Sequence, residues 1–453
     1  MMGNRIATLL SLLAGLIAAL ASGEARAATY TNCFFADVRT TDSGDFSWRN
    51  NREDRWINCD TVGACDAKLR RTRVIIDRPG NESTLTLYTN EHTGCVTWNS
   101  IYGFPQSQPP YFNITVESVA SNVRGKIDVL VHDDGDYTGT NPTTFSTTFY
   151  NANPNQTNFY VGNHGGTWTM FAALVYGIYQ LPSASLPAGS KLYAATDTTN
   201  NCFSSAHYGG GSCGQFGDGL CNSNKNITSG RHYIRLAHNE SGCIFAQTAS
   251  KFLVAHEAGH AIAGLYYGDH PQASNGGEPE GDFTHGVAPD ACGVFGSAYA
   301  MGSKEWNSIG FREGFAHFIA ARMWNNKSSN GAFGWFGTSY DLEWDESGTS
   351  WGGRLENVCC TSGCGSSWDS AGTNSDWMRF FWDFYTNSNS SCPQQPDFND
   401  MMALYRQVRL NGALTRSNYY MRTDAAAAQI GLPSCLSGTR FDKYGEINGV
   451  DNE

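Results

Sequence analysis

The sequence predicts an α+β protein: a β-rich, sandwich-like module followed by a mainly helical domain with a small edge sheet. Three observations carry this expectation. Apolar residues recur with period two from about residue 29 to 186, they recur with helical spacing through most of the chain after residue 246, and a connector punctuated by proline and small residues lies near position 186. A length of 453 residues suits one large domain or two unequal ones, and 40% hydrophobic with 13% aromatic residues describes a chain that builds a core.

The chain starts with Arg5, an apolar stretch from Ile6 to Ala21 and the small-residue site Ala25-Arg26-Ala27. This is the order of a signal peptide, so residues 1–27 are expected to be removed and the protein secreted, to the extracellular space or a bacterial periplasm. The apolar stretch is shorter than the roughly 20 residues a membrane span needs, and no later stretch approaches that length. All 14 cysteines follow Ala27, an even count that fits structural disulfides in an oxidising compartment. Their clusters (Cys59 and Cys65; Cys202, Cys213 and Cys221; Cys359, Cys360, Cys364 and Cys392) lack the paired CxxC spacing of a structural zinc site. A net charge of −12 without any Lys/Arg-rich run disfavours nucleic acid and anionic membranes as partners. Nothing in the sequence sets the oligomeric state.

Residues 28–186 read as the β-rich accessory module, with strands around Ser83–Tyr88, Phe112–Val116 and Lys126–Val131. The connector Leu181–Ser190 places a domain boundary, and residues 187–453 form the second domain. There Arg231–His238 reads as a strand; if it is the sheet edge before the active helix, an extended substrate could add to it through its main chain, which would favour endopeptidase action. Helices are expected near Ala246–Tyr267, Ser308–Trp324, Asp376–Thr386, Asn399–Val408 and Asn418–Ile430. The stretch Asp376–Tyr385 is dense in aromatics at helical spacing and reads as core; Asp376 and Asp383 share a face.

The first of these helices contains His256-Glu257-Ala258-Gly259-His260, an HExxH motif without proline in an apolar context. Residues four apart share a helix face, so both imidazoles can meet one ion while Glu257 reaches a bound water as general base. The motif with its continuation, HEAGHAIAG, resembles the zincin helix and is similar to the active-site helix of ATP-dependent membrane zinc proteases. No GxxxxGK[ST] loop is present, so the likeness stops at the zinc site. Ala263 and Tyr266 stand where the metzincin extension needs Gly and His.

The helix around Phe311-Arg312-Glu313-Gly314-Phe315-Ala316-His317 resembles the helix of thermolysin- and aminopeptidase-type gluzincins that supplies a third ligand. The resemblance implies a zincin-like metallopeptidase domain, Zn2+ held by His256, His260 and Glu313, a water-filled fourth position, and a protein or peptide substrate. Its 53-residue separation from His260 is wider than in those enzymes. Asp282, His285 and Glu305 are rival ligands, and Glu313 could instead pair with Arg312 or Arg322. His317, one turn after Glu313, is expected to orient a ligand or stabilise an oxyanion, a role open also to Tyr340 and Tyr385. A secreted binding or adhesion protein on a degenerate zincin scaffold, or a zinc hydrolase of a non-peptide amide or ester, stays open; the intact Glu257 speaks for catalysis.

Overall fold

The computed structural model describes residues 28–39, 57–61, 64–78, 82–100, 112–133, 144–162, 166–186, 188–197, 207–209, 231–237, 251–267, 304–327, 332–335, 338–341, 371–388, 391–411 and 419–450. The expected signal peptide lies outside them. So do Cys202, Cys213, Cys221, Cys359, Cys360 and Cys364.

Ten strands come first: β1 (Ala28–Arg39), β2 (Ile57–Thr61), β3 (Ala64–Lys68), β4 (Thr72–Asp77), β5 (Leu85–Tyr88), β6 (Cys95–Ser100), β7 (Phe112–Val123), β8 (Ile127–Asp133), β9 (Ser146–Ala152) and β10 (Asn158–Tyr160). One sheet runs β10-β1-β3-β2 with β6 also on β1. Alternation explains its placement: Phe34, Ala36 and Val38 of β1 are buried while the residues between them are half-exposed. The rings on that inner face meet the neighbouring sheet, with Trp98 against Phe112 at 4.8 Å and Phe149 against Phe159 at 5.1 Å between centroids. A disulfide, Cys33–Cys95, joins two residues that face each other in the β1–β6 register. The chain is thus mixed α+β, as expected.

The second sheet has eight strands, in the order β12-β13-β11-β8-β7-β4-β5 with β9 also on β7. Here β11 is Ser190–Asp197, β12 is His207–Gly209 and β13 is Arg231–Ala237. This differs from the expectation at two points. The sheet crosses the Leu181–Ser190 connector, because β11 pairs in parallel with β8 from Ser190↔Ile127 to Thr196↔Asp133, so strands from both sides of the expected boundary share one sheet. Nor is β13 at an edge: it lies between β11 and the three-residue β12, which pairs with it antiparallel through Tyr208↔Ile234. Among the described residues β12 is the last strand on that side. Leu192 to Thr196 are all buried, as expected for a parallel strand covered on both faces.

The crossover from β8 to β11 includes a helix that the period-two reading passes over, α1 (Thr167–Gln180). Its residues from Thr167 to Ile178 are all buried. It packs on β1, β7 and β8 and also on the next two helices, so it carries no polar stripe to betray it. Those helices are α2 (Lys251–Tyr267) and α3 (Asn307–Trp324), and α4 (Asn374–Thr386), α5 (Phe398–Leu410), α6 (Tyr419–Gln429) and α7 (Phe441–Asn448) follow. Asp397 starts α5 with a capping box, its carboxylate accepting from the Asp400 amide at 2.8 Å and the Asp400 carboxylate accepting in return from the Asp397 amide at 2.8 Å. Short ribbons accompany the helices: β14 (Lys304–Trp306) pairs with β17 (Ala371–Thr373), and β15 (Ala332–Trp335) with β16 (Thr338–Asp341). A second disulfide, Cys392–Cys435, ties the segment before α5 to the one before α7. Among the described residues no helix is long and apolar enough to cross a membrane.

Candidate metal centre

The centre is built where α2 crosses α3. Gly259, between the two histidines of the motif, faces Ala316: a Cβ at position 259 would lie 2.6 Å from the Ala316 carbonyl oxygen. Only glycine lets the two backbones approach so closely, and the approach brings the His256/His260 face of α2 against the Glu313/His317 face of α3. On the far side of α3, Gly314 admits α4 in the same way, since a Cβ there would sit 2.4 Å from that of Trp377. The helices are buried on nearly every side, and β12 and β13 both pack on α2.

At this crossing three ligand atoms converge. His256 Nε2 lies 3.0 Å and His260 Nε2 3.2 Å from Glu313 Oε2, and the two imidazole nitrogens are 3.2 Å apart. Three ligands about 2.0–2.1 Å from one ion at tetrahedral angles stand about 3.3–3.4 Å from one another. The triangle therefore fits a single ion, and His256, His260 and Glu313 could hold one. Side-chain exposure grades across the site: 3% for His256, 12% for His260 and 13% for Glu313, so it opens on the His260/Glu313 side.

Two carboxyls in this centre are driven in opposite directions. Burial, and then the negative charge of Glu313, raise the Glu257 carboxyl well above the usual carboxylate range. Burial also pushes Glu313 upward, but the charge of His260, the hydrogen bonds with His256 and His260 and the charge of His256 outweigh it and hold that carboxyl well below the range. One carboxylate is thereby kept ionised as a donor, while its neighbour has a high affinity for a proton.

The structure thus brings four expected residues, His256, Glu257, His260 and Glu313, to one place, and sets His317 beside them. The His317 ring lies 4.0 Å from the His256 ring between centroids, with planes 31° apart. It is not a member of the converging ligand group. Asp282 and His285 lie outside the described residues, as do the side chains of Glu305 and Tyr340. Tyr385 is engaged elsewhere, its hydroxyl accepting from Arg322 Nε at 2.9 Å. Asp376 and Asp383 are buried in the α4 core, where Asp383 accepts from Asn448 and Asn387 at 2.9 and 3.1 Å. Two features escaped the sequence reading: the Gly259–Ala316 contact, signalled only by one glycine inside the motif, and the three-residue strand β12.

Models of known protein families and the curated proteins contain no match to this chain.

Proposed function

We propose that the protein is a secreted zinc-dependent peptidase of the gluzincin type, with His256, His260 and Glu313 as metal ligands and Glu257 as general base. One observation carries the reading: the ligand atoms of an HExxH helix and of a glutamate 53 residues away converge within 3.0–3.2 Å beside a buried carboxyl. Two imidazoles and one carboxylate are the ligand set of hydrolytic zinc sites and leave one position to solvent or substrate. Zinc held there would supply a water of pKa about 7 and polarise a scissile carbonyl. Glu257 accepts the proton of the attacking water and passes it to the leaving amine, a role suited to a carboxyl whose proton affinity burial has raised. The partly exposed His260 and Glu313 mark the side from which substrate arrives. Among the described residues β12, packed on α2, is the last strand on its side of the sheet, where an extended protein or peptide chain could add through its main chain, a role the sequence alone had considered for β13. Export is supported by the expected leader at residues 1–27 and by the two disulfides.

Metal analysis and casein hydrolysis on the purified protein test this reading. Wild type is expected to hold one zinc per chain and to cleave. Glu257→Gln is expected to keep zinc and lose about 10²–10⁴-fold in rate, and Glu313→Gln to lose the metal. A Glu257→Gln variant as active as wild type would remove the proposal. A zinc-loaded protein inert on casein but active on simple esters would move the substrate class to non-peptide carbonyls.

A further inference from the structure

One ring packed against a candidate ligand of this centre is itself a histidine. His317 is fully buried and His256 is 2% exposed. Their rings lie 4.0 Å apart at 31°, nearly face to face, whereas His256 and His260 meet edge-on at 80° and 4.6 Å. The ligand atoms of His317 stand outside the converging set, so it is not a fourth protein ligand. Its backbone position follows from the crossing of the helices: Ala316 is the residue against which Gly259 closes, and His317 comes next on the same helix. One helix thus provides both a ligand, Glu313, and a flat surface under a ligand of the other helix.

An imidazole turns about its Cβ–Cγ bond in a broad, two-fold well, so helix geometry alone does not fix the direction of Nε2. Residues that orient a ligating histidine generally do so by accepting its second N–H, and losing them costs about 10–100-fold in metal affinity. Here a planar ring covers the face of His256, where tilting the imidazole would drive it into a side chain with no room to retreat. We propose that His317 is a positioning residue of the metal centre, which fixes the ring orientation of His256 by stacking. The proposal rests on the metal-site reading above. It predicts that position 317 requires a flat ring.

The test compares His317→Phe, which keeps a flat ring, with His317→Leu, which fills the space without one. Zinc affinity is measured by competition with a chromophoric chelator, coordination by the visible absorption of the cobalt(II)-loaded protein, and folding by circular dichroism. His317→Leu is expected to bind zinc about 10–100-fold more weakly with an altered cobalt spectrum; His317→Phe is expected to stay within about threefold of wild type with the wild-type spectrum. A leucine variant with wild-type affinity and spectrum overturns the proposal, and so does a folded phenylalanine variant as weak as tenfold or more below wild type. Should the leucine variant not fold, the phenylalanine result decides alone. A wild-type protein that binds no zinc or cobalt would instead overturn the metal-site reading itself.

Discussion

The two faces of α3 are held by different physics. Toward α2 the helix presents Glu313, Ala316 and His317, and the contact is backbone against backbone at Gly259 with polar side chains gathered around one point. Toward α4 it presents Phe311, Gly314, Phe315 and Phe318, and the contact is a lattice of rings. Phe311 meets Trp377 at 5.2 Å and Phe381 at 5.5 Å, Phe315 meets Phe381 at 5.0 Å, and Phe318 meets Tyr385 at 5.5 Å. The aromatic face contributes transfer energy and edge-to-face packing, which fix where α3 lies. The ligand face contributes little of either and instead brings like-sized polar groups into a buried place, an arrangement an ion would stabilise. A candidate metal site on a rigid support needs both, and the difference says which substitutions should unfold the protein and which should only empty its site.

Stability should respond most on the aromatic face. Phe381→Ala removes the ring that Phe311, Phe315 and Phe318 share, and is expected to cost about 3–5 kcal/mol in chemical denaturation while the folded fraction still binds one metal. Loss of metal without loss of stability would reverse the assignment of the two faces.

Gly259→Ala probes the other face. The added methyl meets the Ala316 carbonyl, so α2 and α3 must separate, at an expected cost of about 1–3 kcal/mol. Because the ligand triangle spans that crossing, zinc affinity should fall along with stability, in contrast to Phe381→Ala. A Gly259→Ala variant that binds zinc like wild type would show that the close approach is not what aligns the ligands.

The smallest expected effect sharpens the aromatic side. Lys327, just beyond α3, donates to the Pro396 carbonyl at 2.7 Å with its ammonium 4.1 Å from the centre of the Tyr385 ring. Burial first, and then the charge of Arg440, with Arg322 adding to it and Asp397 and Asp400 opposing, brings its pKa from 10.5 down to about 8. The unfolded chain then holds more protons than the folded one between pH 8 and 10.5, so this group makes stability rise with pH across that window. The side chain is only half-buried, which reduces the gain to about 1 kcal/mol. Denaturation at pH 7 and pH 10 should show wild type gaining about that much more than Lys327→Met; equal gains would remove Lys327 as the source.

What the sequence disclosed, and what it hid, follows the same division. His256, Glu257 and His260 were legible because one helix turn fixes their geometry whatever the rest of the chain does. The strands β5, β7 and β8 and the helices α3, α5 and α6 were legible because each has a buried and a less buried side, and α4, buried throughout, was legible from its dense aromatics at helical spacing. α1 was not, since sheet on one side and helices on the other bury it throughout and erase the period. The parallel pairing of β11 with β8 joins residues about sixty apart, which no local pattern encodes. β12 is three residues long, too short for alternation to register. Glu313 lay between these cases: its helix was plain, its meeting with His260 across 53 residues is a tertiary fact.

His256, His260 and Glu313, at the crossing of α2 and α3, could together hold one metal ion. Anomalous diffraction on crystals of the zinc-loaded protein, at wavelengths on either side of the zinc edge, tests it most directly. A single peak is expected about 2.0–2.2 Å from Nε2 of His256, Nε2 of His260 and a Glu313 oxygen, with His317 stacked outside the coordination sphere. A peak whose third protein ligand comes from anywhere but Glu313, or no peak at the crossing of the two helices, would contradict it.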